Sequence, residues 1–494
     1  MESAIAPQDS FRVGSNNQAG RRIRVGRLFD KAIFFALLAL IPLVAIPYGT
    51  VHPDWEAAFE IIVFALVGLW IIEGLISSSW RVKGWRLLAP MIVLAAFALI
   101  QTLPLWAGNA NAVIEGRRAI SEDPFETQLF VLKFLAVTFF FGLLLRYTSS
   151  NRRLRALILV VIGVGVASAL FGLVRATSQR DTPAFILSYL APGRGYAQFI
   201  NRNQFAFLIE MSLGLVLGLI VGGGVRRERL LFYLAAGIAM WTTLVLSNSR
   251  GGILGMTGQL IFVALMFLSL PGGREGSELR GNSFRWLKRI GNLWIVRVAL
   301  VATLVIVTAA GIVSVGGDSL TTRLENVPGE VREETNDKRL GERRLSIWGA
   351  TWQLIKANPI AGVGFGAYGT AISQYHDASG VIKPEQAHND YLELLANGGV
   401  IGGLIGAWFA VALIRLARER LRSVNRFRRA ACLAALAGIF AVSVHSLVDF
   451  GLHITVNALV FVALVVIAAV DIGSEQEEPD LGHDSHRRRQ TVLA

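Results

Sequence analysis

The chain has 494 residues, 53% of them hydrophobic and only 17% charged, with a formal net charge of +13. A soluble protein of this length divides into several cores and carries about 25% charged residues, so a soluble globular enzyme is excluded. The single cysteine, Cys432, excludes a disulfide framework and a cysteine-built metal site.

Apolar runs of roughly 18–22 residues recur along the chain, each long enough to cross a hydrocarbon layer of about 30 Å. They predict an all-α polytopic membrane protein with about twelve transmembrane helices. The expected spans are 31–48, 57–77, 87–105, 128–146, 156–174, 204–222, 230–247, 252–270, 293–315, 398–416, 430–448 and 453–472. Basic residues gather in alternate connections. Arg21, Arg22, Arg24 and Arg27 precede the first span, Arg81, Lys83 and Arg86 follow the second, and 146–155, 223–229, 272–292 and 417–429 are equally basic. With the spans counted this way all these segments fall on one side, which the positive-inside rule makes the cytoplasm. The basic excess is therefore a topology signal, and no nucleic-acid partner is expected.

The predicted organisation is a cytoplasmic basic tail at 1–30, spans one to nine over 31–315, a large periplasmic loop at 316–397, three further spans over 398–472, and a cytoplasmic tail at 473–494. The polar lead-in of about thirty residues and the lack of a small-residue cleavage site read as a retained anchor rather than a cleaved signal peptide.

On the outer side, the segment 175–203 carries Arg175, Arg180, Arg194 and Arg202, against the positive-inside rule. In LSNSRGGILG, residues 246–255, one span ends at Ser247 and the next begins at Gly252, with Gly251 and Gly252 permitting the sharp reversal. Arg250 then either snorkels from a hairpin turn or clamps an anion with its guanidinium fork, with Ser247, Asn248 and Ser249 as neighbouring donors. Leu345, Trp348, Trp352 and Ile355 recur at helical spacing and predict an amphipathic interfacial helix that stops at Asn358-Pro359. Arg344 lies one turn before Trp348 and points toward a membrane-side cavity, with Arg343 its rival; interfacial decoration is the plainer reading of both. The G-x-G-x-x-G match from Gly364 to Gly369 has no βαβ unit around it and reads as a turn, not a dinucleotide site.

In QAHNDYLELLANGGVIGG, residues 386–403, His388 shares helical spacing with Tyr391, Leu392 and Leu395. It is either a histidine buried at a helix start, with Asn389 or Asp390 as cap, or a group that activates or orients a hydroxyl. No second histidine accompanies it at metal-ligand spacing, so no metal is expected, and no cofactor. Gly398, Gly399, Gly402, Gly403 and Gly406 read as close helix packing.

The S-R-G-G turn, the loop pattern R-x-x-x-W with P-x-x-G-x-G-x-G, and the closing H-N-x-x-L-x-x-x-x-x-G together resemble the O-antigen ligase and O-antigen polymerase superfamily of bacterial inner membranes. FINRNQFA at 199–206 and HSLVDFGLHITVNALVF at 445–461 are similar to further parts of that family, and the resemblance covers roughly 150–470. It implies a glycosyltransferase C-like fold. It also implies transfer of a glycan from undecaprenyl diphosphate to an acceptor hydroxyl at the periplasmic face, inverting and metal-independent. The acceptor is lipid A core for a ligase, or a lipid-linked repeat for an O-antigen, capsule or exopolysaccharide polymerase. By the same resemblance Arg250 and Arg344 hold the diphosphate and His388 serves the acceptor. Arg194, Arg202, Asn203, Ser249, Arg343 and Asn389 are further substrate contacts, although Arg202 within NRN departs from the family's pattern. A transporter is the rival of another class, weighed on the span residues Glu210, Lys133, Glu73 and Arg297.

Overall fold

A computed structural model describes residues 9–77, 80, 84–104, 119–178, 195–269, 344, 346–376 and 384–472. Its longer helices in chain order are α1 (Asp9–Ala45), α2 (Pro53–Ser77), α3 (Trp85–Gln101), α4 (Pro124–Tyr147), α5 (Asn151–Ser178), α6 (Arg202–Val221), α7 (Leu230–Leu246), α8 (Arg250–Ser269), α9 (346–357), α10 (Asp390–Leu421), α11 (Arg426–His445) and α12 (Thr455–Ala469). Among the described residues the only β pairing is an isolated bridge between Tyr196 and Phe199. Among the described residues, eight helices are long and apolar enough to cross a membrane, and α3, α8 and α12 are shorter apolar helices. Eleven of the expected spans thus coincide with helices, while the ninth, 293–315, lies outside the described residues. The chain is an all-α polytopic membrane protein.

Helix ends sort by charge. At one end, Arg153 pairs with Asp30, Arg86 with Glu419, and Arg420 with Asp471. There Arg428 also donates to the carbonyls of Ile467, Ala468 and Val470, closing the end of α12. This is the end that collects the basic connections. At the other end lie the starts of α2, α4, α6, α8, α10 and α12.

The bundle is built around α6, whose membrane-length segment is the most enclosed of the eight. Its partner is α11. A Cβ added at Gly214 would lie 2.4 Å from the Gly438 nitrogen, one at Gly218 2.3 Å from Ala434 Cα, and one at Gly222 2.9 Å from Ala430 Cα. Small residues at four-residue spacing on both helices bring the backbones into contact, the association that lipid favours.

The glycines near 400 do different work from the helix packing expected of them. Gly399 has φ 59 and ψ −157, which interrupts α10 nine residues after its start at Asp390, itself eight residues before the expected span. The loop 359–364 fills the break. Val363 and Gly364 donate to the carbonyls of Ala396 and Asn397, while Val400 and Ile401 donate to those of Pro359 and Ile360. Buried Gln101 completes it, donating to Ala361 and Asn397 carbonyls at 2.7 and 3.0 Å and accepting from the Phe365 amide. Irregular backbone within a membrane bundle requires such internal satisfaction. Gly362, Gly364 and Gly366, at φ 67, 102 and 85, provide the left-handed turns this loop needs.

Candidate functional site

The turn into α8 differs from its expected form. The left-handed residue is Asn248, φ 55, and the helix already begins at Arg250, so Gly251 and Gly252 lie in its first turn. Their small size serves packing, since a Cβ at Gly251 would lie 2.3 Å from His445 Nε2 and one at Gly252 2.6 Å from Ala206 Cβ. Ser249 is buried and acts as the cap, accepting from the Gly252 amide at 3.1 Å. Its hydroxyl donates to Asn203 Oδ1 at 2.8 Å. Asn203 in turn donates through Nδ2 to Asp449 Oδ2.

Asp449 is the hub of the site and is 1% exposed. Arg344 Nη2 donates to its Oδ2 at 3.1 Å, His388 Nδ1 lies 3.2 Å from its Oδ1, and the Phe450 amide donates to Oδ1 at 2.9 Å. Burial alone pushes this carboxyl up. The His388 hydrogen bond, the Arg344 charge and the Phe450 amide outweigh burial and hold it below the ordinary carboxylate range.

His388 is not on the helix face predicted for it. It precedes the cap of α10, in left-handed backbone with φ 48. Asn389 is that cap, accepting from the Tyr391 and Leu392 amides while donating to the Leu447 carbonyl. Its side chain is buried and both ends of its amide are engaged. The preceding peptide is pinned from two directions. The Ala387 amide donates to Glu393 Oε2 at 2.9 Å, and its carbonyl accepts from Trp348 Nε1 at 3.0 Å. Thus α9, through Trp348, fixes the backbone that presents His388, and Trp352 is 49% exposed on the same helix. The imidazole meets the Phe450 ring edge-on at 5.0 Å between centroids.

Arg202, Asn203, Arg250, Arg344 and His388 line one cavity of about 2110 Å³. That is roughly twice the upper size of an ordinary small-molecule site. Its walls pass from these polar residues to Met91, Val137, Phe409 and Val462, which lie well inside the helices. Arg202 is the first residue of α6, after the cap Asn201. Arg194 and Arg343 lie outside the described residues.

Sequence reasoning passed over two residues of this region. Asp449 sits between two apolar runs with no spacing to mark it. His445 pairs with Glu210 through Nδ1 and Oε1 at 3.0 Å, both side chains wholly buried. The remaining span charges are paired as well, Lys133 with Glu56 and Glu73 with Tyr147 and Arg146; Arg297 lies outside the described residues.

No curated protein matches the chain. A family model described as O-Antigen ligase matches residues 235–407, an interval that contains Arg250, Arg344 and His388. That match spans about a third of the chain, and with the helical membrane architecture it supports the O-antigen ligase superfamily and a ligase or polymerase type of glycosyltransferase.

Proposed function

We propose that the protein transfers a glycan from undecaprenyl diphosphate to an acceptor hydroxyl at the periplasmic face of the bacterial inner membrane. The observation that carries this reading is Asp449, which holds Arg344 and His388 together on the wall of a cavity that also presents Arg250. A diphosphate leaving group carries its charge away from the reacting carbon, and arginine forks bind its oxygens in bidentate fashion. His388 Nδ1 is taken up by Asp449, so Nε2 is the nitrogen turned to the acceptor, and the carboxylate orients it. In the step, the acceptor hydroxyl gives its proton to Nε2 and its oxygen bonds to the anomeric carbon. The bond from that carbon to the diphosphate oxygen breaks, and the lipid diphosphate leaves on Arg250 and Arg344. Attack opposite the leaving group inverts the anomeric centre.

The acceptor is a lipid A core sugar if the protein is a ligase, or a second lipid-linked repeat if it is a polymerase. The envelope polysaccharide of a deletion strain separates these, since a ligase deletion leaves polymer on the carrier lipid beside a bare core. R250A, R344A and H388A should each lower glycan transfer by roughly 100-fold or more at unchanged protein level. Parental glycan in all three variants rejects the assignment.

A further inference from the structure

Beneath the arginines lies a second polar feature that the proposed chemistry does not use. Glu210 of α6 and His445 at the end of α11 are both 0% exposed. His445 Nδ1 and Glu210 Oε1 are 3.0 Å apart, and the imidazole stacks on Phe207 with centroids 4.0 Å apart. Among the described residues, Glu210 Oε2 and His445 Nε2 have no hydrogen-bond partner. An ionisable pair inside a membrane bundle is costly, and well-packed apolar residues in its place are often no less stable. Its reason must lie in geometry.

That geometry is specific to α8. A Cβ at Gly251 would lie 2.3 Å from His445 Nε2, one at Gly252 3.3 Å from Glu210 Oε1, and one at Gly255 2.6 Å from Glu210 Oε2. The first two turns of α8 therefore rest directly on the two side chains, and Arg250 is the first residue of that helix. Gln259, two turns further along, fastens α8 by donating to the carbonyls of Glu210 and Ala437. On its other side His445 holds the hub, because its carbonyl accepts from the Val448 and Asp449 amides at 2.9 and 3.1 Å. One residue thus places the start of α8 with its ring and Asp449 with its backbone, and Glu210 locks the ring.

We infer that the Glu210–His445 pair is a positioning device that sets the distance between Arg250 and the Asp449–Arg344–His388 group, and so the grip on a lipid diphosphate. The inference rests on the reading of the arginines as that grip. It makes the pair dispensable for folding but not for binding.

The test uses the full chain purified in detergent, undecaprenyl diphosphate as probe, and thermal unfolding beside each binding curve. E210L/H445L should unfold within a few degrees of the parent and bind the probe about tenfold more weakly. E210Q and H445N keep a hydrogen bond between the two positions and should bind within about threefold of the parent. A double variant that binds as the parent does overturns the inference. So does one that fails to fold, because the pair then holds the bundle rather than placing Arg250. Conservative variants as weak as the double variant overturn it too, since the bond between the side chains would then not be what matters. R344A separates the two levels of argument. Parental binding by R344A rejects the arginine grip itself, whereas weak binding by R344A with parental binding by E210L/H445L rejects the positioning pair alone.

Discussion

His388 Nδ1 sits 3.2 Å from Asp449 Oδ1, and the other oxygen of that carboxylate holds Arg344 at 3.1 Å. A single buried anion thus fixes the orientation of an imidazole and of a guanidinium. The arrangement resembles other base–carboxylate pairs in which the acid orients the ring without reacting.

D449N keeps the shape of the side chain and removes its charge. The charge-assisted bonds it weakens are worth about 1.5–3 kcal/mol, so transfer should fall roughly ten- to a hundredfold. The pH dependence follows from the lowered folded value of Asp449. Such a group adds stability that is present above its unfolded value of about 3.9 and is lost as pH falls through the folded one. The parent should therefore keep this contribution at neutral and mildly acidic pH and lose it below about pH 4. Thermal unfolding of D449N should lack that acid-linked loss, and an identical pH profile in the two proteins contradicts the role given to Asp449.

Glycine substitutions should separate contact from propensity. A Cβ at Gly218 meets Ala434 Cα at 2.3 Å, whereas one at Gly68 in α2 meets nothing within 4 Å. G218A must push α6 and α11 apart along their backbones and should destabilise by about 1–3 kcal/mol. G68A should be neutral or gain up to about 1 kcal/mol from helix propensity. Melting temperatures in detergent decide this, and equal effects at both positions remove the α6–α11 contact from the account.

The helices were legible because apolar runs of membrane length leave little alternative, and Arg250 and Arg344 were legible through the motifs that carry the family resemblance. The hub was not. Asp449 lies 246 residues from Asn203, 105 from Arg344 and 61 from His388, so only tertiary packing joins them. His388 was misplaced for a different reason. Periodicity counts residues at helical spacing but does not see where the helix begins, and Asn389 starts it one residue later. The sequence does offer Asn389 as a cap, because Asp390 and Glu393 after it suit a helix N-terminus, yet the spacing alone draws His388 onto the helix face. The same blindness gave the reversal before α8 to Gly251 and Gly252 when Asn248 makes it.

The left-handed backbone of His388 makes a claim that stability measurements can check. At φ 48 a residue with a Cβ is strained by roughly 1 kcal/mol, and the strain persists only where neighbours impose it. Those neighbours are Glu393 and Trp348, which pin the Ala387 peptide, and Asn389, which starts α10 immediately afterwards. A residue chosen only for folding would be glycine. H388A and H388G both lack the imidazole, so both lose its bond to Asp449 and both should be inactive in glycan transfer. They differ in the backbone alone. H388G should unfold at a higher temperature than H388A, by about 1 kcal/mol less the greater entropy glycine has in the unfolded chain. H388A more stable than H388G by the full entropic difference of about 0.4–1 kcal/mol would show that position 388 carries no strain, and the pinning of Ala387 would then have no part in presenting the histidine.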